Sequence, residues 1–211
     1  MTKTIAAQDI TLDELNQIFG LTITYDQQFF TEWREDLPEL TDFEKQQLDR
    51  VKRNYINLVS HHPISENMVK MVVVEHLFDL ADFYSLPFYV TDEKTVELAV
   101  EDEDTVIRGR LDFLVLKEQL WFAIVESKKS GISLMPAIPQ TLVYMLANPQ
   151  QDRPIFALIA NGHNFLFLKL TKQETPQYAL SDQFTLLKRS NELYDVLRII
   201  KKLSQLIVPE Q

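Results

Sequence analysis

The sequence predicts an α/β protein built on a mixed sheet, in the order helix, β-meander, helix, strands. Three observations predict it. Residues 66–83 carry Val69, Val72, Val73, His76, Leu77 and Leu80 at helical spacing. Strand-like segments follow at Pro87–Thr91, Thr95–Val100, Val106–Leu116 and Trp121–Ser127, separated by short charged turns at Asp92–Lys94 and Glu101–Asp104. Pro136–Ala147 then suits a helix, because proline is tolerated in a first turn. A helix between Val125 and Ile155 implies that the strands on either side are parallel, joined by a right-handed crossover.

From the N-terminus, Thr11–Gly20 reads as a short helix, with Thr11 and Glu14 in capping-box spacing and Gly20 as a stop. Gln27–Glu35 is expected to be a second helix. Asp42–Val59 is a third and longer one, with Phe43, Gln47, Val51, Tyr55 and Val59 in a stripe that Leu48 and Ile56 widen. These three helices define residues 1–62 as a helical N-terminal extension packed on a core of residues 63–211. Ser65 is the expected N-cap of the helix that opens this core. After Pro136–Ala147, Ile155–Ala160 and Phe165–Leu170 flank Asn161-Gly162, a hairpin signal. A C-terminal amphipathic helix covers Glu192–Ile207, with Leu193, Val196, Leu197, Ile200, Leu203 and Ile207 on one face.

Composition narrows the chemistry. With no cysteine there is no thiolate nucleophile and no thiolate metal site, so a metal would be held by carboxylates, amides or histidines, which favours a hard cation such as Mg²⁺. The four histidines, His61, His62, His76 and His163, have no HExxH spacing. The four glycines, Gly20, Gly109, Gly131 and Gly162, cannot write a phosphate-binding GxGxxG or GxxxxGK[ST] loop, so no nucleotide cofactor is expected. No serine sits in a G-x-S-x-G elbow. No run approaches the roughly 18 apolar residues that span a bilayer, and no leader pattern opens the chain, so a cytoplasmic protein without a membrane partner is expected. The net charge of −10 is uneven: residues 1–104 hold 22 acidic against 8 basic side chains, and residues 105–211 hold 9 against 13. Contact with a polyanion should therefore run through the second half.

The chemistry concentrates in Ile107–Lys129, IRGRLDFLVLKEQLWFAIVESKK. Alternation puts Glu126 and Lys128 on one strand face. A three-residue turn, Glu118–Leu120, would oppose Asp112 to Glu126 and Leu116 to Phe122, placing both carboxylates on one face; a turn one residue shorter or longer would separate them. Two close carboxylates repel unless a cation lies between them, and Mg²⁺ takes one or two carboxylates plus water and phosphate oxygens. Lys128 would orient an attacking water or offset developing charge. Arg108, Arg110 and Lys129 flank the stretch and offer phosphate contacts. The alternative is a surface ion pair between strand ends, since Asp followed by Glu-x-Lys arises by chance in ~1 in 3 chains of this length. Asp82 with Asp92-Glu93-Lys94 repeats the pattern; it is set aside because Asp92–Lys94 reads as a turn.

Asp112 after Gly109-Arg110-Leu111, followed by Glu126-Ser127-Lys128 on the next strand, resembles the PD-(D/E)xK nucleases, the restriction-endonuclease-like superfamily. Gln140 and Tyr144 match the Q-x-x-x-Y motif of its RecB-like branch, and four apart they share one helix face. Ser65-Glu66 and Asn161-Gly162 resemble the N-terminal nuclease domain of type I restriction subunits. The resemblance covers residues 66–170, and Leu111 stands where the superfamily usually has proline. It implies a restriction-endonuclease-like core and Mg²⁺-dependent cleavage of DNA, with Mn²⁺ able to substitute. It further implies Asp112 and Glu126 as metal ligands, Lys128 as catalytic lysine and Glu66 as a supporting acid, for which Glu75 competes. Gln140 and Tyr144 would position the lysine or the DNA. DNA is the expected partner, with a partner subunit or a second copy of the chain beside it.

Overall fold

The computed structural model describes residues 3–61, 65–100, 105–117, 120–126, 133–149, 151–161, 163–173 and 175–207; side chains at 3, 66, 92–94, 96, 100, 105, 110–117, 120–126 and 207 lie outside that description. Two capping boxes organise its N-terminal third. After β1 (Lys3–Ala6) and a 3-10 turn (Ala7–Asp9), Thr11 and Glu14 cap α1 (Leu12–Phe19), which stops at Gly20 in the left-handed region with φ 66°. Thr41 and Glu44 do the same for α2 (Asp42–Val59). Each box satisfies N–H groups that a helix start leaves unpaired.

The N-terminal segment is more than the helical extension its sequence suggests. β1 pairs in parallel with β4 (Thr105–Lys117), and β2 (Thr22–Ile23) pairs in parallel with β8 (Gln177–Thr185), so this segment enters the sheet at two places. The helix expected over Gln27–Glu35 is replaced by successive turns. The Asp26 carboxylate accepts the Gln28 N–H at 2.9 Å, the Thr31 carbonyl accepts from both Arg34 and Glu35, and Asp36 takes φ 50°. Those local bonds compete with a helix. What holds the segment is tertiary: Phe30 is buried, Trp33 packs beside it, and Glu32 pairs with Lys169 at 2.5 Å.

The helix after Ser65 starts where expected, the Ser65 hydroxyl accepting the Met68 N–H at 3.3 Å. It runs through α3 (Glu66–Val69), a π-helical turn (Lys70–Val74) and α4 (Glu75–Leu80). The π turn inserts extra rotation, so Val69, Val73, Val74, Leu77 and Phe78 are buried while His76, assigned to the apolar side by period, is exposed. On α2 the stripe is likewise rotated: Phe43 and Ile56 are exposed, and Glu44, Leu48, Val51 and Tyr55 face inward.

β3 (Tyr89–Val100), β4 and β5 (Leu120–Glu126) form the expected antiparallel meander. β3 runs unbroken through Asp92–Lys94, which is therefore not a turn. α5 (Ala137–Leu146) then crosses to β6 (Ile155–Ala160), which is parallel to β5 as predicted, and β6, β7 (Asn164–Thr171) and β8 continue antiparallel. β8 escaped the sequence reading because a register shift opposite Leu166 and Leu168 breaks its alternation, with the Ser181 hydroxyl accepting the Phe167 N–H at 2.9 Å. The last helix, α6 (Leu193–Ile207), lies as predicted.

Together these make an α/β fold around one mixed sheet, ordered β1-β4-β5-β6-β7-β8-β2 with β3 also on β4. Helices cover both faces. Phe156, Leu158 and Ala160 of β6 join the core under α2, α4 and α6, whereas Ile155, Ala157 and Ile159 join the core under α1 and α5. A strand buried on both sides must read as a continuous apolar run, and IFALIA does.

The link between α2 and α6 is chemical as well as apolar. Glu44 is buried, belongs to the Thr41 box and pairs with Lys201. Burial pushes its carboxyl pKa up, but hydrogen bonds from Lys201 and Thr41 outweigh that and hold it below the usual range. Glu44→Ala should cost about 2 kcal/mol in urea unfolding at pH 7, from a lost cap and an orphaned ammonium. A group with a depressed native pKa stabilises only when ionised. The gap between wild type and Glu44→Gln should therefore be full above the unfolded-state value of about 4.3 and shrink as pH falls through the lower folded value.

Candidate functional site

The expected site residues gather where β4 changes neighbours. β3 follows β4 along one edge from Val100↔Thr105 to Tyr89↔Leu116. A strand has only two edges, so β1 and β5 share the other. β1 occupies it from Thr105 to Arg108, and β5 from Phe113 to Lys117. Between them lie Gly109, Arg110, Leu111 and Asp112, where among the described residues no strand pairs on that edge. These four are the residues of the sequence motif.

α5 leans on this notch. A Cβ added to Gly109 would lie 2.5 Å from both Cε1 and the hydroxyl of Tyr144 and 2.7 Å from Cβ of Ala7, so only glycine lets the Tyr144 ring and the start of the 3-10 turn approach β4 this closely. The Gln140 side-chain amide donates to the Tyr144 hydroxyl at 2.6 Å. The four-residue spacing of Gln140 and Tyr144 is thus a real contact on one helix face, and it meets β4 three residues before Asp112. Tyr144, expected to touch nucleic acid, is only 1% exposed, and its neighbours include Gly109, Ala7 and Gln140. Its hydroxyl accepts from the side chain of Gln140, which is partly exposed.

The β4–β5 register differs from the one expected. The ladder runs from Lys117↔Leu120 to Phe113↔Ile124, with Leu116 opposite Trp121 and Val115 opposite Phe122. The connection is therefore two residues, Glu118-Gln119, and not three. Neither residue is Gly or Asn, so the sequence carried no signal for a two-residue connection. The expected direct opposition of Asp112 to Glu126 is overturned, and with it the expected placement of both on one face: a regular continuation would put Asp112 opposite Val125 and Glu126 opposite Leu111, with the two positions on opposite faces of the sheet. The described ladder stops one residue short of Asp112, whereas β5 continues beside β6 to Glu126↔Ala160. The two carboxylate positions therefore flank the place where β4 and β5 cease to pair.

The remaining expected residues are placed in part. Arg108 is 55% exposed on its side chain and pairs with Glu97 across the β3–β4 ladder at 2.9 Å. The backbones of Arg110, Asp112, Glu126 and Glu66 are described and their side chains are not; Lys128 and Lys129 lie outside the described residues, as does the Glu101–Asp104 turn. Among the described residues no three His, Asp or Glu side chains converge as a metal site. The donor chemistry at the notch, carboxylates and an amide, suits a hard divalent cation. Gly109 is the member of this site that the sequence reading did not single out. A glycine inside a strand pattern signals close approach of another group, and that signal was present.

No known family model matches this chain, and no curated protein matches it.

Gly109→Ala should destabilise the protein by about 1–3 kcal/mol through overpacking against Tyr144 and Ala7. In a Tyr144→Ala background the same change should cost less than half as much, and a double-mutant cycle of unfolding free energies measures that coupling.

Proposed function

We propose that the chain is a metal-dependent nuclease that hydrolyses DNA phosphodiester bonds, with Mg²⁺ as cofactor and Mn²⁺ as a substitute. One observation carries the reading: the uncovered stretch of β4, Gly109–Asp112, coincides with the motif residues, and the Gln140–Tyr144 pair of α5 is seated on it. Sheet proteins bind ligands where neighbouring strands diverge, because backbone and side chains are there not committed to pairing.

In this reading Asp112 and Glu126 hold the metal, with Glu66 as a supporting acid. The bound metal supplies charge neutralisation at the scissile phosphate. Lys128 orients the attacking water and donates to the phosphoryl oxygen as negative charge develops. Gln140, held by Tyr144, keeps that lysine or the DNA in place. Arg110 and Lys129 meet backbone phosphates, and Arg108 does so by exchanging Glu97 for a phosphate. DNA is the partner, with a second copy or another subunit completing a duplex-sized surface. In the described residues no helix is long and apolar enough to cross a membrane.

The two-residue β4–β5 connection favours a second reading, a nuclease-fold protein that binds nucleic acid or a protein partner without cutting it, because the acids do not directly oppose. Incubation with single-stranded and plasmid DNA at low salt separates the two. The nuclease reading expects Mg²⁺- or Mn²⁺-dependent products that fall at least about 100-fold in folded Asp112→Ala, Glu126→Ala and Lys128→Ala variants. Cleavage surviving in all three contradicts it. Salt-sensitive DNA affinity without a metal-dependent product selects the second reading.

A further inference from the structure

β2 covers only the start of β8's outer edge. The two strands pair at Thr22↔Gln177 and Ile23↔Tyr178, with the Thr22 N–H donating to the Pro176 carbonyl at 3.0 Å and the Thr24 N–H to the Tyr178 carbonyl at 2.9 Å. Backbone groups alternate between the two edges of a strand, so Leu180, two residues past Tyr178, turns its N–H and carbonyl to that same edge. Among the described residues no strand meets Leu180 there. An edge left open in this way is a template for another extended chain.

A pocket opens at the same place. It is half-enclosed, holds about 230 Å³, and has Ile23, Tyr25, Phe30, Trp33, Ala179 and Leu180 as its apolar walls. Phe30 and Ala179 are buried, Trp33 packs edge-on against Phe184 at 6.3 Å, and Tyr25 is 85% exposed. The polar residues that also line it, Thr24, Asp26, Gln27 and Arg34, are joined by local bonds. Asp26 donates its N–H to the Thr24 hydroxyl at 3.2 Å and accepts the Gln28 N–H at 2.9 Å, while Arg34 donates to the Gln27 carbonyl at 2.5 Å and pairs with Glu35 at 3.5 Å. The wall is thus formed before any ligand arrives, and the space suits one leucine- or phenylalanine-sized side chain.

We propose that this edge and pocket together bind an extended segment of a partner protein that carries one such apolar side chain. The segment continues in line with β2: a peptide N–H and carbonyl pair with those of Leu180, and the apolar side chain enters the pocket. In strand addition the main-chain bonds supply geometry and the side-chain pocket supplies selectivity. A free apolar molecule could fill the pocket but would leave Leu180 unpaired. The chain's own residues 22–24 already use this edge in the extended form, which is why a peptide is the occupant argued for. The site lies on β8, three strands along the sheet from β4, and does not depend on the nuclease reading.

The test is an NMR titration of the full chain, isotopically labelled, with acetyl-Thr-Thr-Leu-Thr-Thr-amide to about 10 mM, a range suited to one side chain and a few main-chain bonds. The Trp33 indole and the Leu180 amide should shift on one saturation curve, and exchange of the Leu180 amide with solvent should slow at least ~3-fold at saturation. Replacing the peptide's leucine with serine should weaken binding at least ~10-fold, as loss of one buried apolar side chain does. No saturable shift at either residue overturns the proposal, and so do equal affinities for the two peptides. Trp33 shifts with unchanged Leu180 exchange overturn strand addition and mark the pocket as a small-molecule site.

Discussion

One edge of β4 has to serve two strands that reach it from different parts of the chain. β1 comes parallel from the N-terminus and β5 antiparallel from the meander, and among the described residues they leave four residues of β4 between them. That gap would be a defect in a sheet built for pairing alone. Here it is occupied from the side by α5, whose Tyr144 ring sits on Gly109 and Ala7. The absence of one β-carbon therefore fixes how β1, β4 and α5 meet, and the Gln140 amide is carried to the same place by its bond to Tyr144. The α1–α5 core, with Leu15, Leu142 and Ile107 wholly buried, keeps the helix from sliding off.

The rest of the sheet is held by a second core on its other face, and its polar links tie distant parts of the chain together. Lys201 on α6 reaches Glu44 on α2, Lys169 on β7 reaches Glu32, and Arg198 reaches Pro38 and Leu37 carbonyls beside Glu39. Lys188 likewise pairs with Glu192. Lys169, Arg198 and Lys201 of the basic second half thus hold residues of the acidic first half. Near the β4 notch Arg108 pairs with Glu97, both side chains more than half exposed.

Local rules made much of this legible. Capping boxes at Thr11 and Thr41, the Ser65 cap, the Asn161-Gly162 hairpin and the crossover helix are set by short-range chemistry, and each stands where the residues put it. What escaped depends on distant partners. β1 and β2 are too short to signal themselves and exist because β4 and β8 have edges to fill. The 27–35 segment obeys Asp26 and Thr31, and the β8 irregularity is repaired by Ser181 from within the fold. At the site, the motif spacing pointed to a strand and a helix that do meet, but a one-residue difference in a loop decided the register, and periodicity cannot see a loop length. Gly109 was readable as an anomaly in a strand; its partner, Tyr144, was readable only as half of a helical pair.

The proposed nuclease reading stands on residues 109–112 of β4 and the end of β5 forming a divalent-cation site beside α5. Titration of Mn²⁺ into isotopically labelled protein, followed by paramagnetic broadening of backbone amides, measures this without requiring catalysis. Broadening should begin at residues 109–112 and 125–126 and at Gln140, and Asp112→Ala should remove it. Broadening that appears first along the acidic N-terminal residues, with the β4 notch unaffected, would contradict it.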